Sequence, residues 1–284
     1  MTAPTPSHPP PSPPATSARV YAVGDVHGRL DLLREAVDRI SEHVGDGPFR
    51  VVFLGDYVDR GPDSRGVVEF LMALQRRWRV VCLKGNHEAL MLEALTEPGG
   101  GRLERWLEYG GEQTLASYGL SRSSDLADAI PAEHLRWMAS LPRTTGDGRR
   151  IYVHAGLMPG TPAHRQKDET CLWIRERFLA ARPSEFEAHV VHGHTPLWDG
   201  KPDPAEPELL AHRTNLDTGA FATGVLTVGV FDADTPGGPV EVLSIRGAPA
   251  GDFVADPADA SPAAPARRRR GLTGWFAART RSDA

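Results

Sequence analysis

The feature that most constrains this chain is a rhythm repeated three times near its start: a short apolar run, a glycine, then a segment with helical spacing. Val20–Val23 reads as a buried strand and ends in Gly24; from Leu30, apolar residues recur at Leu33, Val37 and Ile40, the spacing of one helix face. Val51–Leu54 is a second strand ending in Gly55, and Ser64 can cap a helix whose apolar side includes Val67, Phe70, Leu71 and Leu74. Val80–Leu83 is a third strand, just before Gly85. Strand, glycine turn and helix in repetition imply parallel strands joined by crossover helices, an α/β fold. Residues 88–145 carry mostly helical patterning, with tryptophans at Trp106 and Trp137. Strand-like runs return at Ile151–Val153, His189–Val191, Val225–Phe231 and Val240–Ile245. Few helices separate the last of these, so the second half is expected to form a mixed or antiparallel sheet.

Metal-binding side chains follow directly on the apolar runs. They stand in G-D-V-H-G at 24–28, G-D-Y-V-D-R-G at 55–61, G-N-H-E at 85–88, V-H-A-G at 153–156 and H-G-H-T-P at 192–196. In open α/β sheets the carboxyl ends of the strands form the ligand crevice, so five strands aim Asp, His and Asn at one place. Carboxylate oxygens suit hard cations, and imidazole suits transition metals such as Mn, Fe and Zn. A carboxylate also has two oxygens and can bridge two cations. Two cations ~3.5–4 Å apart can activate water and clamp phosphate oxygens together. The flanking glycines let the backbone turn sharply beside the ligands. Any one of these motifs is a common turn; five in order, each after an apolar run, are hard to obtain by chance.

Charge and cysteine usage narrow the partners. The net charge is −5, but residues 267–284 hold six arginines against one acid, Asp283. The other 266 residues carry 26 basic and 36 acidic groups, a body that argues against a general nucleic-acid binder and suits one that takes up cations. Cys82 and Cys171 are far apart and in no C-x-x-C pair, which favours a reducing compartment and a cytoplasmic location. No apolar run approaches the ~20 residues of a membrane span, and the first 17 residues lack the basic start and apolar stretch of a secretory signal. With seven prolines between Pro4 and Pro14, residues 1–18 are expected to be a disordered Pro-rich tail. Residues 19–247 are expected to form the catalytic domain, and 248–284 a disordered linker and basic C-terminal tail. Arginines beside Leu272, Trp275 and Phe276 suit a weak contact of residues 267–281 with an anionic membrane, the alternative being a solvated tail.

Taken as a series, GDVHG, GDYVDRG, GNHE, VHAG and GHTP resemble the signature of the phosphoprotein phosphatase family within the calcineurin-like metallophosphoesterases, most of all its bacterial and phage serine/threonine phosphatase branch. The similarity runs from Val20 to Ile245. It implies a sandwich of two mixed β-sheets flanked by helices, with a small helical cap, and two divalent metal ions, Mn²⁺ first, with Fe or Zn as alternatives. It implies that Asp25 and His27 bind the first metal, that Asp56 bridges both, and that Asn86, His154 and His194 complete the second. His87 becomes the acid near the leaving group, oriented by Asp59. Arg60 holds the phosphate, and Arg175, in LWIRERF, resembles a second phosphate-binding arginine, with a helix-face ion pair as the alternative reading. His192 is read as a structural or outer-shell histidine. Side-chain chemistry agrees with these roles. Arg offers a fixed fork of donors to phosphate oxygens, an imidazole can protonate a departing alkoxide near neutral pH, and a carboxylate beside it fixes its tautomer.

Departures from neighbouring branches sharpen the expectation. General nucleases and phosphodiesterases of the superfamily end in G-H-x-H, where this chain has Pro196. Symmetrical dinucleoside tetraphosphatases commonly lack an Asp at position 59 and carry GNHD, where this chain has Asp59 and Glu88. The chain is therefore expected to hydrolyse phosphate monoesters by metal-activated water, as a serine/threonine protein phosphatase acting on a phosphorylated protein or small phosphate ester, with no nucleic-acid partner. A bis(5′-nucleosyl)-tetraphosphatase is the alternative, and an inactive phosphate-binding scaffold a remote one. The segment 106–119, WLEYGGEQTLASYG, is expected in the cap, with a bearing on substrate choice.

Overall fold

The computed structural model describes residues 18–96, 99–122, 126–196 and 206–250. The N-terminal tail and the basic segment 267–281, with the membrane contact expected of it, lie outside these residues. The expected opening rhythm is present: β1 (Arg19–Val23), α1 (Leu30–Val44), β2 (Phe49–Phe53), α2 (Ser64–Gln75) and β3 (Val80–Cys82). β1 pairs with β2 and β2 with β3, both parallel.

These strands read as continuous apolar runs because both their faces are covered. Tyr21 and Val23 of β1 pack with Leu33 and Ile40 of α1 and Val67 and Leu71 of α2. Their neighbours Val20 and Ala22 point the other way, onto Tyr152 and Val191 of a second sheet. Each such fully buried Val or Phe contributes on the order of 1.5–3 kcal/mol. One local expectation fails instructively. Asp63, not Ser64, caps α2, its Oδ1 accepting the Gly66 N–H at 2.8 Å. The Ser64 hydroxyl is turned instead to the backbone N–H of Asp59.

Six helices follow: α3 (Asn86–Thr96), α4 (Arg102–Trp106), α5 (Glu112–Ser117), α6 (Leu126–Ala129) and α7 (Ala132–Ser140) form the cap, and α8 (Asp168–Trp173) stands further along. α4 runs into α5 through a helical turn, Leu107–Gly111, kinked at Gly110 (φ 100°). Leu90, Met91, Trp106, Leu115 and Met138 give the cap its own apolar core. The second sheet has the order β4 (Thr144–Gly146), β5 (Arg150–Val153), β6 (His189–His192), β8 (Arg213–Asn215), β7 (Glu208–Leu209). Its three inner strands are parallel and its two edges antiparallel. The short helix α9 (Glu176–Leu179) packs on it through Phe178, whereas α10 (Ala220–Thr223) gives Ala220 to the core beside the first sheet.

The last two strands depart from expectation. β9 (Val225–Asp232) and β10 (Glu241–Arg246) do not extend the second sheet; they return to the first, giving the order β10-β9-β1-β2-β3. β9 lies antiparallel between β1 and β10, and burial along seven of its eight residues explains its unbroken apolar character. The architecture is thus a two-sheet sandwich with outer helices and a helical cap. Residues 248–250, assigned above to a linker, still bond to the body: Ala250 N–H donates to Phe221 O and Arg29 donates to Ala248 O. No helix among the described residues is long and apolar enough to cross a membrane.

Candidate metal and phosphate site

The strand ends from both sheets meet at one edge of the sandwich. Asp25 and His27 follow β1, Asp56 follows β2, and Asn86 and His87 open α3 directly after β3. From the second sheet come His154 after β5 and His194 after β6. All seven side chains are buried. Five of them, His27, Asp56, Asn86, His87 and His194, line a narrow cleft together with Arg60, Arg175 and Tyr109.

Asp56 stands at the centre. Its Oδ2 lies 3.6 Å from His27 Nε2, 3.4 Å from His154 Nε2 and 3.9 Å from His87 Nε2. Its Oδ1 accepts the His87 backbone N–H at 3.0 Å. Two triads able to hold a cation share it: His27, Asp56 and His87, and Asp56, His154 and His194. Geometry alone therefore allows His87 as a donor beside His27, a place the sequence reading gives to Asp25. Asp25 sits further round, with Oδ2 accepting the His194 N–H at 3.0 Å.

The tautomers follow from the neighbours. His27 Nδ1 is 2.9 Å from Val58 O, and His154 Nδ1 is 3.0 Å from Leu54 O. A carbonyl only accepts, so each Nδ1 carries the proton and each Nε2 presents a lone pair. Burial holds both imidazoles below their ordinary pKa, His154 down to about 4, with the Arg60 guanidinium adding to the effect at His27. Burial likewise lowers His87, with Arg60 next, and His194, with Arg175 next. Burial and then the charges of Asp217 and Asp56 push Asp25 well above the carboxylate range. Neutral Nε2 lone pairs thus face carboxylate oxygens, and Asp25 Oδ1 accepts no hydrogen bond among the described residues. Acceptors turned on acceptors in a dry pocket are held together by positive charge, and this mixture of imidazole, carboxylate and amide oxygen fits divalent cations.

Left-handed non-glycine backbone is confined, among the described residues, to these loops. Among the described residues, the non-glycines with positive φ are His27 (43°), Asp56 (51°), Asp59 (72°), Arg60 (68°) and His194 (68°). Such conformations cost about 1–2 kcal/mol each. The close glycines are required sterically: a Cβ on Gly85 would stand 2.0 Å from Asp56 Oδ1, and one on Gly193 2.0 Å from Asp25 Oδ1.

The remaining residues named from sequence also converge. Asp59 Oδ2 is 2.8 Å from His87 Nδ1. Arg60 lies over the Phe221 ring at 5.0 Å, with NH1 3.4 Å from His27 Nε2. Arg175 turns into the cleft, its Nε 3.2 Å from His194 Nε2. His192 is buried with Nδ1 3.0 Å from Gly193 O, outside the cleft lining. Sequence reasoning missed Asp217, which also lines the cleft. It stands two residues past β8, whose sequence RTN carries no strand signal. It also missed Trp106 and Thr114 as partners of Asp59, and took Glu88 only as a family mark. Glu88 in fact accepts the backbone N–H groups of Gly85, Asp56, Tyr57 and Val58.

The Calcineurin-like phosphoesterase family model matches residues 18–222. The chain belongs to that family and is a metallophosphoesterase, a hydrolase with a dinuclear divalent-metal site. Among its relatives, serine/threonine-protein phosphatase 2 of Escherichia coli is 37% identical over 216 residues, 73% of this chain and 90% of the relative. Serine/threonine-protein phosphatase 1 of Salmonella typhimurium is 30% identical over 213 residues, 74% and 90% of the two chains. The asymmetrical bis(5′-nucleosyl)-tetraphosphatase PrpE of Oceanobacillus iheyensis is 26% identical over 236 residues, 75% and 88%. A crystal structure of a protein provisionally assigned as a diadenosine tetraphosphatase shares the fold, with a TM-score of 0.54 at 24% identity, over 83% of this chain and 96% of that one.

Proposed function

We propose that this metallophosphoesterase is a serine/threonine protein phosphatase that hydrolyses phosphate monoesters. The observation that carries the reading is the buried His87–Asp59 contact of 2.8 Å at the wall of a cleft that also holds two arginines. Transfer of a phosphoryl group from an alkyl oxygen needs a proton delivered to that oxygen. His87 is placed to give it from Nε2, since Nδ1 is engaged by Asp59. Arg60 and Arg175, which both line the cleft, bind the phosphate oxygens. The proposed metal holders are Asp25 and His27, Asp56 between the two ions, and Asn86, His154 and His194. The ions, once bound, would acidify water and neutralise the phosphate. Mn²⁺ is the proposed native ion, with Fe or Zn as alternatives, because three imidazoles, two carboxylates and an amide oxygen suit a transition metal better than Mg²⁺. Two free, buried cysteines support a cytoplasmic setting.

The relatives favour the same substrate class, since two of them are serine/threonine phosphatases matched over 90% of their length. A second reading, hydrolysis of dinucleoside polyphosphates, has its own support in the PrpE relative and in the partly exposed rings of Tyr109 and Trp173, 6.2 Å apart near the cleft. Turnover of phosphoserine and phosphothreonine peptides against diadenosine tetraphosphate, each with Mn²⁺, tests the choice. Higher kcat/KM on the peptides is expected; a preference of tenfold or more for the dinucleotide refutes the protein phosphatase reading.

A further inference from the structure

The carboxylate of Asp59 touches the cap as closely as it touches His87. Thr114 Oγ1 is 2.7 Å from Asp59 Oδ1, and Trp106 Nε1 is 3.0 and 3.1 Å from Oδ1 and Oδ2. All three residues are fully buried. The proton count fixes the directions. An indole N–H only donates. The Thr114 hydroxyl accepts the Asp59 backbone N–H at 2.8 Å and lies 2.9 Å from Ser64 Oγ. Its single proton therefore goes to Asp59 Oδ1 at the shorter distance, with Ser64 donating to it. Every neighbour thus donates to the Asp59 carboxylate, His87 Nδ1–H among them. The cap also holds the next residue, for the Arg60 N–H donates to Gly110 O at 3.1 Å.

We infer that Trp106 and Thr114 are positioning residues of the reaction: they lock Asp59 as an oriented acceptor of His87 Nδ1–H, so that Nε2 is the ring nitrogen turned to the cleft for proton transfer. The cap then does more than select substrates; it is part of the proton-delivery apparatus. This inference rests on His87 acting as the acid.

The test is the dependence of kcat on leaving-group pKa across substituted phenyl phosphates, with metal content and melting temperature measured alongside. Variants are Thr114→Val, which keeps shape and loses the hydroxyl, Trp106→Phe, which loses the donor, Thr114→Ser, which keeps the hydroxyl, and His87→Asn as the reference. The steepest dependence is expected in His87→Asn, since general acid help is worth about 10²–10⁴-fold. Thr114→Val and Trp106→Phe should lie between it and the wild type, losing about 10-fold or more on phenyl phosphate and less on p-nitrophenyl phosphate, with metal content intact. Thr114→Ser should restore the wild-type slope. A steep slope in His87→Asn beside wild-type slopes in both Thr114→Val and Trp106→Phe overturns the positioning role alone. An unchanged slope in His87→Asn overturns the acid role and this inference with it. Equal losses for every leaving group in the cap variants, tracking a lower melting temperature, also overturn it, because they reduce the contacts to packing.

Discussion

Arg60→Ala separates phosphate binding from every other task of the cleft. The substitution leaves the backbone in place: Arg60 already lies at φ 68°, and its N–H to Gly110 O does not involve the side chain. What goes is a guanidinium stacked over Phe221 and next to His27. A hydrogen bond to a charged group is worth about 1.5–3 kcal/mol, and a guanidinium fork can make two to one phosphate. Arg175 remains in the cleft and water replaces part of the loss. The expected cost is therefore about 2–4 kcal/mol in kcat/KM, or ~30- to ~1,000-fold. Because the contact exists before and during reaction, KM and the inhibition constant of inorganic phosphate should both rise. Arg60→Lys should recover part of the loss, since it keeps the charge and gives up the fork. The assay is steady-state hydrolysis of p-nitrophenyl phosphate at fixed Mn²⁺, with phosphate as inhibitor and bound metal measured in parallel. An unchanged phosphate inhibition constant in Arg60→Ala, with metal content equal to wild type, refutes the contact.

Exhaustive chelation should abolish hydrolysis, Mn²⁺ should restore it better than Mg²⁺, and Asp56→Asn should lose more bound metal by elemental analysis than Asn86→Ala; two ions at wild-type affinity in Asp56→Asn would show that another group bridges. Far from the cleft, Asp147 pairs with the fully buried Arg150 at 3.0 Å and accepts from Tyr152 Oη at 2.8 Å. Burial opposes its ionisation, but hydrogen bonds from Arg149 N–H, Tyr152 and Arg150 outweigh it and hold the carboxyl below its ordinary pKa. A depressed folded-state pKa gives stability that is present above the unfolded value and lost as pH falls through the folded one. Asp147→Asn should thus lower stability at pH 7 by about 3 kcal/mol, and the gap should close in urea titrations below about pH 4; a gap independent of pH would remove the ion pair as its cause.

The parallel strands of the first sheet were legible because burial on both faces leaves a nearly pure apolar run, as in Val51–Leu54, and because each run stops at a glycine. The second sheet was legible only in its core. β4, β7 and β8 read TTG, EL and RTN, too short and polar for a periodic signal. Asp217 was lost with β8, though an L-D-T-G turn after a strand has the same form as the motifs that were found. β9 and β10 were seen as strands but assigned to the wrong sheet, because strand pairing between distant segments leaves no local trace. At the site, all ten side chains named from sequence stand in or beside the cleft; the variants above test the roles of His87, Arg60, Asp56 and Asn86. Trp106 and Thr114 escaped because each sits in a helical pattern, Trp106 within the cap core, and a buried hydrogen bond across 47 or 55 residues has no sequence signature.

The loop 56–60 shows why such a site needs support from several directions. It supplies Asp56, Asp59 and Arg60, and all three have left-handed backbones. For L-residues that costs roughly 1–2 kcal/mol each, some 3–6 kcal/mol for the loop. Groups outside the loop help to offset this. Glu88 does so from below, its carboxylate accepting the N–H groups of Asp56, Tyr57 and Val58 at 3.0, 2.7 and 3.3 Å. The cap does so from above, taking the N–H of Asp59 on Thr114 and that of Arg60 on Gly110. Charge-assisted bonds to Glu88 contribute about 1.5–3 kcal/mol each when well formed, enough to balance the strain. Burial and the neighbouring Asp56 push the Glu88 carboxyl up to about 7, so the same group that secures the loop carries an electrostatic cost of its own. Positive charge next to Asp56 relieves that cost. Cation binding and the strained geometry of the loop therefore reinforce one another: the backbone presents the carboxylate to the ions, and the ions make the buried carboxylates that hold the backbone tolerable.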